Sequence, residues 1–443
     1  MPGSTESRRK RYKKRFLFIL IGLADGSNPI TCNFWRAVVT CCQLNLEEGE
    51  AVKILLVIDQ FYEANNGMTI SARRFAKVLA DHGHEIRIVS TGKSRDPGLY
   101  ADSYSVPKQY IPFFDKLVAK QGMTFASPDD EVLECAVGWA DIVHFLVPFA
   151  LSHHGIMIAR ELGIPYTAAF HCQPENVTSS IYLDKFKNIN KLIYLWFNHY
   201  IYQYCGHIHC PSEFIANELR KTGYRSHLHV ISNGIDPDFV GLRKKEKPPE
   251  LKDKFVILSV GRYSREKRHE LIIRAVKMNR YAERIQLIFA GQGPKRDMLK
   301  KLGTSLPNPP IFNFFKKSDL LDVIAMSDLY VHAANAEIEA MSCMEAFASG
   351  LVPIIADSEK SATPQFALDE RSLFIADDPK DLSKQIDYWY EHPEERREMG
   401  KKYAVMGEKY NLETCVYEAE KMFYEAIEDA SREAVPVREA NAK

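Results

Sequence analysis

Short, β-branched apolar runs alternate with amphipathic helical segments twice over in this chain, and that alternation sets its fold class. KILLVID (53–59), EIRIVST (85–91), ADIVHFL (140–146), YTAAFH (166–171), HIHCPS (207–212) and HLHVISNG (227–234) read as buried strands. After the first run, Phe75, Val78, Leu79 and His82 recur at helical spacing. The segment GLRKKEKPPE (241–250), charged and carrying paired prolines, then interrupts the pattern as a linker. Beyond it FVILSVG (255–261), IQLIFAG (285–291), IFNFF (311–315), LYVHAA (329–334), VPIIAD (352–357) and LFIAD (373–377) restart the series. Charged helices follow at about 380–392, 394–406 and 412–429. Strands alternating with helices imply parallel β-α-β units with right-handed crossovers. The expectation is therefore an α/β protein of two doubly wound domains, 52–240 and 241–411, with the helix at about 412–430 packing back on the first. Two such sheets facing one another leave a cleft at the C-terminal ends of their strands, where open α/β sheets bind ligands.

Composition narrows the classes. Lys+Arg and Asp+Glu are both 58 in 443 residues, so the net charge is zero, which argues against a nucleic-acid partner. A 46% hydrophobic content with 24 Phe, 21 Tyr and 4 Trp excludes low-complexity disorder. No apolar run approaches the roughly 20 residues that cross a bilayer. The nine cysteines are odd in number and include no C-x-x-C, so they read as reduced thiols of a cytoplasmic protein. His207-Ile-His209 and His227-Leu-His229 read as same-face strand residues, because no cysteine or carboxylate cluster accompanies either pair, and no metal site is expected.

Residues 1–51 stand apart. RRKRYKKRF (8–16) precedes a nine-residue apolar run, Phe16 to Ala24, which is too short to span a membrane. Two readings apply: a basic extension that touches membranes, or a misassigned start, with translation beginning at Val52.

The strand ends carry the chemistry. G-x-G-x-x-G and G-x-x-x-x-G-K-[ST] follow no strand, which disfavours a dinucleotide oxidoreductase and a P-loop kinase. The loop Gly261-Arg262-Tyr263-Ser264-Arg265-Glu266-Lys267 leaves a strand and enters a helix. Two cations beside a helix start form a diphosphate clamp or a solvated basic turn; spacing alone leaves both open. In AEIEAMSCMEAFASG (336–350), Glu337 and Glu345 stand eight apart. With Glu337 just before a helix, both carboxylates face the cleft; the other reading makes one a cap and the other an exposed helical residue. Asp236-Pro237-Asp238 reads as a turn. LIYLWFNHYIYQY (192–204) reads as a helix buried against the sheet, with a membrane-facing helix as the alternative.

The order V-G-R-x-x-x-E-K, A-G-x-G-P, D-L-x-V-H-A and E-x7-E followed by A-F-A-S-G-L-V-P resembles glycosyltransferase family 4 over roughly residues 53–430. Asn65-Asn66-Gly67 matches the family's loop after the first strand, His171 in AFHCQPEN its strand-end histidine, and SNGID (232–236) its segment near the domain junction. The resemblance implies the GT-B fold, two Rossmann-like domains about a cleft, and sugar transfer with retention of anomeric configuration. A narrower resemblance, through NNGMTISARRF, FHCQPENVTSS, EIEAMSCMEAFASGLVP and SEKSATPQFALDERSLF, is to bacterial transferases that add hexose to diacylglycerol, or to ceramide.

The resemblance also implies roles. Arg262 and Lys267 hold the donor diphosphate without a metal ion, Glu345 holds the nucleotide ribose, and Glu337 holds hydroxyls of the donor sugar. Gly291 and Gly293 belong to the donor side. Asn66, Gly67 and His171 belong to the acceptor side, with His171 beside the reacting sugar and Gly67 also near the donor. His171, Arg262, Lys267 and Glu337 form the expected catalytic set. One departure is Ile338-Glu339-Ala340, where many relatives carry G-F-G. The implied co-substrate is UDP-glucose or UDP-galactose, with no cofactor. The implied partner is a lipid acceptor at the cytoplasmic face of the cell membrane. A soluble sugar or polyol acceptor, and a non-catalytic sugar-nucleotide-binding subunit, are the alternatives.

Overall fold

In the computed structural model the described residues are 50–62, 67–93, 102–110, 124–180 and 188–433. The 1–49 stretch of the leader, with Asn65 and Asn66, lies outside them.

Seven parallel strands form the first sheet, in the order β3-β2-β1-β4-β5-β6-β7. They are β1 (Lys53–Gln60), β2 (Glu85–Thr91), β3 (Tyr104–Val106), β4 (Ile142–Phe145), β5 (Tyr166–Ala169), β6 (His207–Cys210) and β7 (His227–Val230). Six parallel strands form the second, in the order β10-β9-β8-β11-β12-β13. These are β8 (Phe255–Val260), β9 (Ile285–Ala290), β10 (Ile311–Asn313), β11 (Leu329–His332), β12 (Pro353–Asp357) and β13 (Leu373–Ile375). In both, the order reverses beside the first strand of the series, the switch point at which doubly wound sheets open a crevice. β1, β4, β8, β9 and β11 are almost wholly buried, as strands covered on both faces must be.

The helices of the first lobe are α1 (Gly67–Asp81), α2 (Asp130–Trp139), α3 (Ala150–Leu162), α4 (Pro174–Ser180), α5 (Ile189–Tyr200) and α6 (Glu213–Lys221). Those of the second are α7 (His269–Lys277), α8 (Arg296–Gly303), α9 (Lys317–Met326), α10 (Met341–Ala348), α11 (Pro379–Glu391) and α12 (Pro393–Glu408). The last helix, α13 (Leu412–Glu433), packs its Val416, Ala419, Met422 and Phe423 into a core shared with β1 and α1 of the first lobe.

The chain thus crosses between lobes twice, and the crossings touch. Ile235 N–H donates to Tyr410 O at 2.8 Å, and Leu412 N–H donates to Ile235 O at 3.1 Å. Gly234, at φ +69°, makes this approach possible, since a Cβ there would stand 2.8 Å from Leu412 Cα.

The aromatic segment is two-faced. Tyr194 and Phe197 on α5 pack against Phe170, whereas Leu192, Leu195 and Trp196 are exposed. The helix is thus buried on one face, as the first sequence reading has it, and exposes apolar side chains on the other. His82, read as part of the α1 stripe, lies one residue beyond the helix and pairs instead with Glu413 and Glu420 of α13.

Candidate active site

β8 ends at Val260, and its exit loop carries Arg262 and Lys267 up to the start of α7. β11 ends at His332, and its exit loop carries Glu337 to the start of α10. These strands are neighbours in the sheet, so the two loops lie side by side. Asn335 N–H donates to Glu266 O at 2.9 Å and ties them together.

There Lys267 Nζ forms a partly buried ion pair with Glu337. His332 Nε2 lies 3.2 Å from the same carboxylate oxygen. Burial opposes ionisation of Glu337, but Lys267 and His332 outweigh it and hold its carboxyl down to about 2. Glu337 is therefore a fixed anion with a cation against it, an arrangement suited to hydroxyl groups next to a diphosphate. Arg262 is half-buried in the same loop, and desolvation lowers its pKa.

Glu345 lies on α10, two turns beyond Glu337, and is buried. Its Oε1 accepts from Arg74 Nη1 of α1 at 3.0 Å, across the lobes. Burial raises the pKa of Glu345, and Arg74 offsets it.

Gly291 and Gly293 follow β9 and pack on the exit loop of β8. Tyr263 N–H donates to Gln292 O at 2.8 Å, and a Cβ on Gly293 would stand 2.6 Å from Tyr263 backbone atoms. A Cβ on Gly291 would collide with the Gly261 carbonyl. These glycines let the loop bearing Arg262 lie flat on its neighbour.

From the first lobe, Gly67 opens α1, and no atom lies within 4 Å of where its Cβ would stand. His171, just beyond β5, lines a cavity with Ser71, Phe75, His144, His209 and Asn233. Burial, then the neighbouring imidazoles of His209 and His144, drive the pKa of His171 well down, so it is neutral at physiological pH. Exit loops of the two sheets meet through polar contacts: Gln173 Nε2 donates to Lys360 O at 2.8 Å, and Ser212 Oγ to Ile338 O at 2.6 Å.

Sequence reasoning missed several of these residues. Arg74 is one of two adjacent arginines with nothing to mark which faces the cleft. Glu339, in the departing tripeptide, is buried and accepts from Asn233 N–H at 3.0 Å and Asn233 Nδ2 at 2.7 Å. Ala340 holds φ +71°, the left-handed conformation a glycine there would adopt freely. The Asp236-Pro237-Asp238 motif is a turn, its two carboxylates each 2.6 Å from Lys317.

Known proteins match this chain in sequence and in fold. The family model for Glycosyltransferase Family 4 matches residues 65–239, and that for Glycosyl transferases group 1 matches residues 242–405. An alpha-monoglucosyldiacylglycerol synthase of Streptococcus pneumoniae is 28% identical over 327 residues, 69% of this chain and 71% of that protein. A GDP-mannose-dependent alpha-mannosyltransferase of Corynebacterium glutamicum is 26% identical, over 69% of this chain and 72% of its own length. The catalytic domain of cholesterol-alpha-glucosyltransferase from Helicobacter pylori is 45% identical over 35% of this chain and 99% of that domain, with a TM-score of 0.35. Anabaena Alr3699/HepE, solved with UDP and glucose, covers 84% of this chain and 100% of its own at a TM-score of 0.64 and 14% identity, a likeness of fold. Two facing parallel sheets, the first matched by the Glycosyltransferase Family 4 model and the second by the Glycosyl transferases group 1 model, identify this chain as a member of glycosyltransferase family 4, an enzyme of GT-B fold that transfers glycosyl groups.

Proposed function

We propose that this enzyme transfers a hexose from UDP-glucose or UDP-galactose to a lipid hydroxyl such as that of diacylglycerol, with retention, to give an α-glycolipid. The observation that carries the reading is the partly buried Lys267–Glu337 pair, whose lysine stands on the loop that also bears Arg262: a fixed anion for sugar hydroxyls with cations for a diphosphate. The likeness to an alpha-monoglucosyldiacylglycerol synthase supports the lipid acceptor.

In this reading Arg262 and Lys267 bind the diphosphate and stabilise it as it leaves, the task that a metal ion performs elsewhere. Glu345 receives the ribose hydroxyls once Arg74 yields, and Glu337 orients the sugar. The bond from the anomeric carbon to the diphosphate oxygen breaks as the acceptor oxygen attacks from the same face. The acceptor proton passes to the departing diphosphate oxygen, so no covalent sugar–enzyme intermediate forms. His171, neutral, lies beside the reacting sugar and accepts or donates a hydrogen bond without becoming a charge. Gly67 gives the substrates backbone access, with Asn66 beside it on the acceptor side. Gly291 and Gly293 serve the donor side by holding the Arg262 loop.

Among the described residues no helix is long and apolar enough to cross a membrane. Peripheral contact at the cytoplasmic face suits the proposed acceptor, and exposed Leu192, Leu195 and Trp196 on α5 supply an apolar surface for it. A second donor reading, GDP-mannose, draws on the mannosyltransferase likeness.

The test is incubation of purified protein with UDP-glucose, UDP-galactose or GDP-mannose against diacylglycerol, ceramide and soluble sugars, followed by mass analysis and assignment of the anomeric centre. An α-hexosyl diacylglycerol supports the proposal. Transfer to soluble acceptors alone, or from GDP-mannose alone, overturns it.

A further inference from the structure

We propose a metal site remote from the cleft: His207, His227, His229 and Glu425 bind one zinc-type divalent cation that pins α13 to the edge of the first sheet. β7 is the edge strand, paired in parallel with β6, so His207 faces His227 and His209 faces His229 across the ladder. α13 lies over that edge and brings Glu425 to the imidazoles from nearly two hundred residues away.

Each of the four offers one ligating atom, and these atoms lie within 4.8 Å of one another. His207 Nδ1 is 3.0 Å from His229 Nε2, and Glu425 Oε2 is 3.7 Å from His227 Nδ1 and 3.9 Å from His229 Nε2. Zinc–nitrogen bonds of about 2.0–2.1 Å in a tetrahedron set neighbouring ligand atoms about 3.3 Å apart, so small side-chain adjustments close the set.

A second observation comes from the other side of His207. Its Nε2 lies 3.2 Å from Asp429 Oδ2, one turn along α13 from Glu425. A carboxylate that accepts a hydrogen bond from Nε2–H leaves the Nδ1 lone pair facing the cluster, the arrangement by which second carboxylates orient metal-bound histidines. His227 and His229 stand with ring centroids 4.0 Å apart and ring planes tilted by 38°, so the two imidazoles sit side by side at the cluster. Three imidazoles and one carboxylate suit Zn²⁺ over Mg²⁺ or Ca²⁺, and four protein ligands leave no open position for catalysis. The role is structural: the ion joins the C-terminal helix to the lobe it recrosses to reach.

The experiment uses the full chain, freed of metal by a chelator and titrated with Zn²⁺ against a chromophoric competitor. Co²⁺ then serves as a spectroscopic probe of coordination. His227 and Glu425 are exposed, so His227→Ala and Glu425→Gln keep the fold, checked by circular dichroism. The wild type is expected to bind Zn²⁺ stoichiometrically, to show the visible bands of four-coordinate Co²⁺, and to melt at higher temperature with Zn²⁺ than without. Each variant is expected to bind at least tenfold more weakly, with the Co²⁺ bands lost. Failure of the wild type to bind, or equal binding and equal spectra in wild type and both variants, overturns the site. Neither result touches the assignment of donor or acceptor.

Discussion

Arg74 of α1 and Glu345 of α10 form a 3.0 Å ion pair that spans the two lobes, and the carboxylate it occupies is the one proposed for the ribose. The same guanidinium stands 4.0 Å from Asp236 at the junction. If Glu345 holds the ribose as proposed, nucleotide binding displaces an existing cation. Arg74→Ala leaves Glu345 buried without its partner, and burial already raises that carboxyl. The expected outcome is a several-fold change in KM for the nucleotide sugar with kcat changed less; equal KM in variant and wild type would show that Arg74 and ribose do not compete.

Lys267→Ala and Arg262→Ala each remove one preorganised cation from the proposed diphosphate site. Turnover is expected to fall by about 10²–10³. Near-normal kcat in both, measured on folded protein, removes the diphosphate assignment.

Gly293→Ala places a methyl against the Tyr263 backbone and forces the Arg262 loop off its neighbour. Loss of stability and of donor affinity together is expected, visible as a lower melting temperature and weaker nucleotide binding by calorimetry. Loss of one without the other would separate the glycine's packing from the site.

Glu339 gives a pH signature. Burial is the main cause that raises its carboxyl from 4.5 to about 7, partly offset by hydrogen bonds from Ser232 and Asn233. The folded state then holds a proton that the unfolded chain has lost between those two values, so stability from this group falls as pH rises through that window. Asp59, also raised to about 7 by burial, acts in the same direction, whereas His144 at about 3 and His209 at about 4 act in the opposite one. The measurement is therefore a difference. Wild type minus Glu339→Gln in unfolding free energy should decline by up to ~3 kcal/mol between about pH 4.5 and 8. A difference independent of pH would place Glu339 in solvent.

Ala340→Gly relieves a left-handed alanine at the start of α10. A gain of ~0.5–1 kcal/mol in urea unfolding is expected, after the added freedom of glycine in the unfolded chain is set against the strain removed. Destabilisation would mean that the Ala340 methyl packs better than its backbone conformation costs.

Period and length made most strands legible. EIRIVST matches β2 residue for residue, and other runs overshoot mainly at their C-terminal ends, where the chain leaves the ladder for a loop. HLHVISNG stops at Val230 because Ile231 to Gly234 already turn toward the junction. β3 was missed because Tyr104–Val106 is only three residues long at a sheet edge. Glu337 and Glu345 were visible as a spaced pair, but their partners were not: Lys267 and Arg74 reach them through sheet order and lobe closure, which no local pattern encodes. The histidine pairs were read as strand surface because each H-x-H shows only its own strand. Glu425 and Asp429, on which the proposed metal site depends, arrive on the last helix.

The paired crossings at Ile235 and Leu412 constrain motion as well as shape. Among the described residues, two adjacent backbone segments, hydrogen-bonded to each other, are all that join the lobes covalently, so a rotation that parts the lips of the cleft pivots about that seam. A seam of this kind acts as a hinge line, with the two crossings sharing the strain of any lobe movement rather than each turning alone.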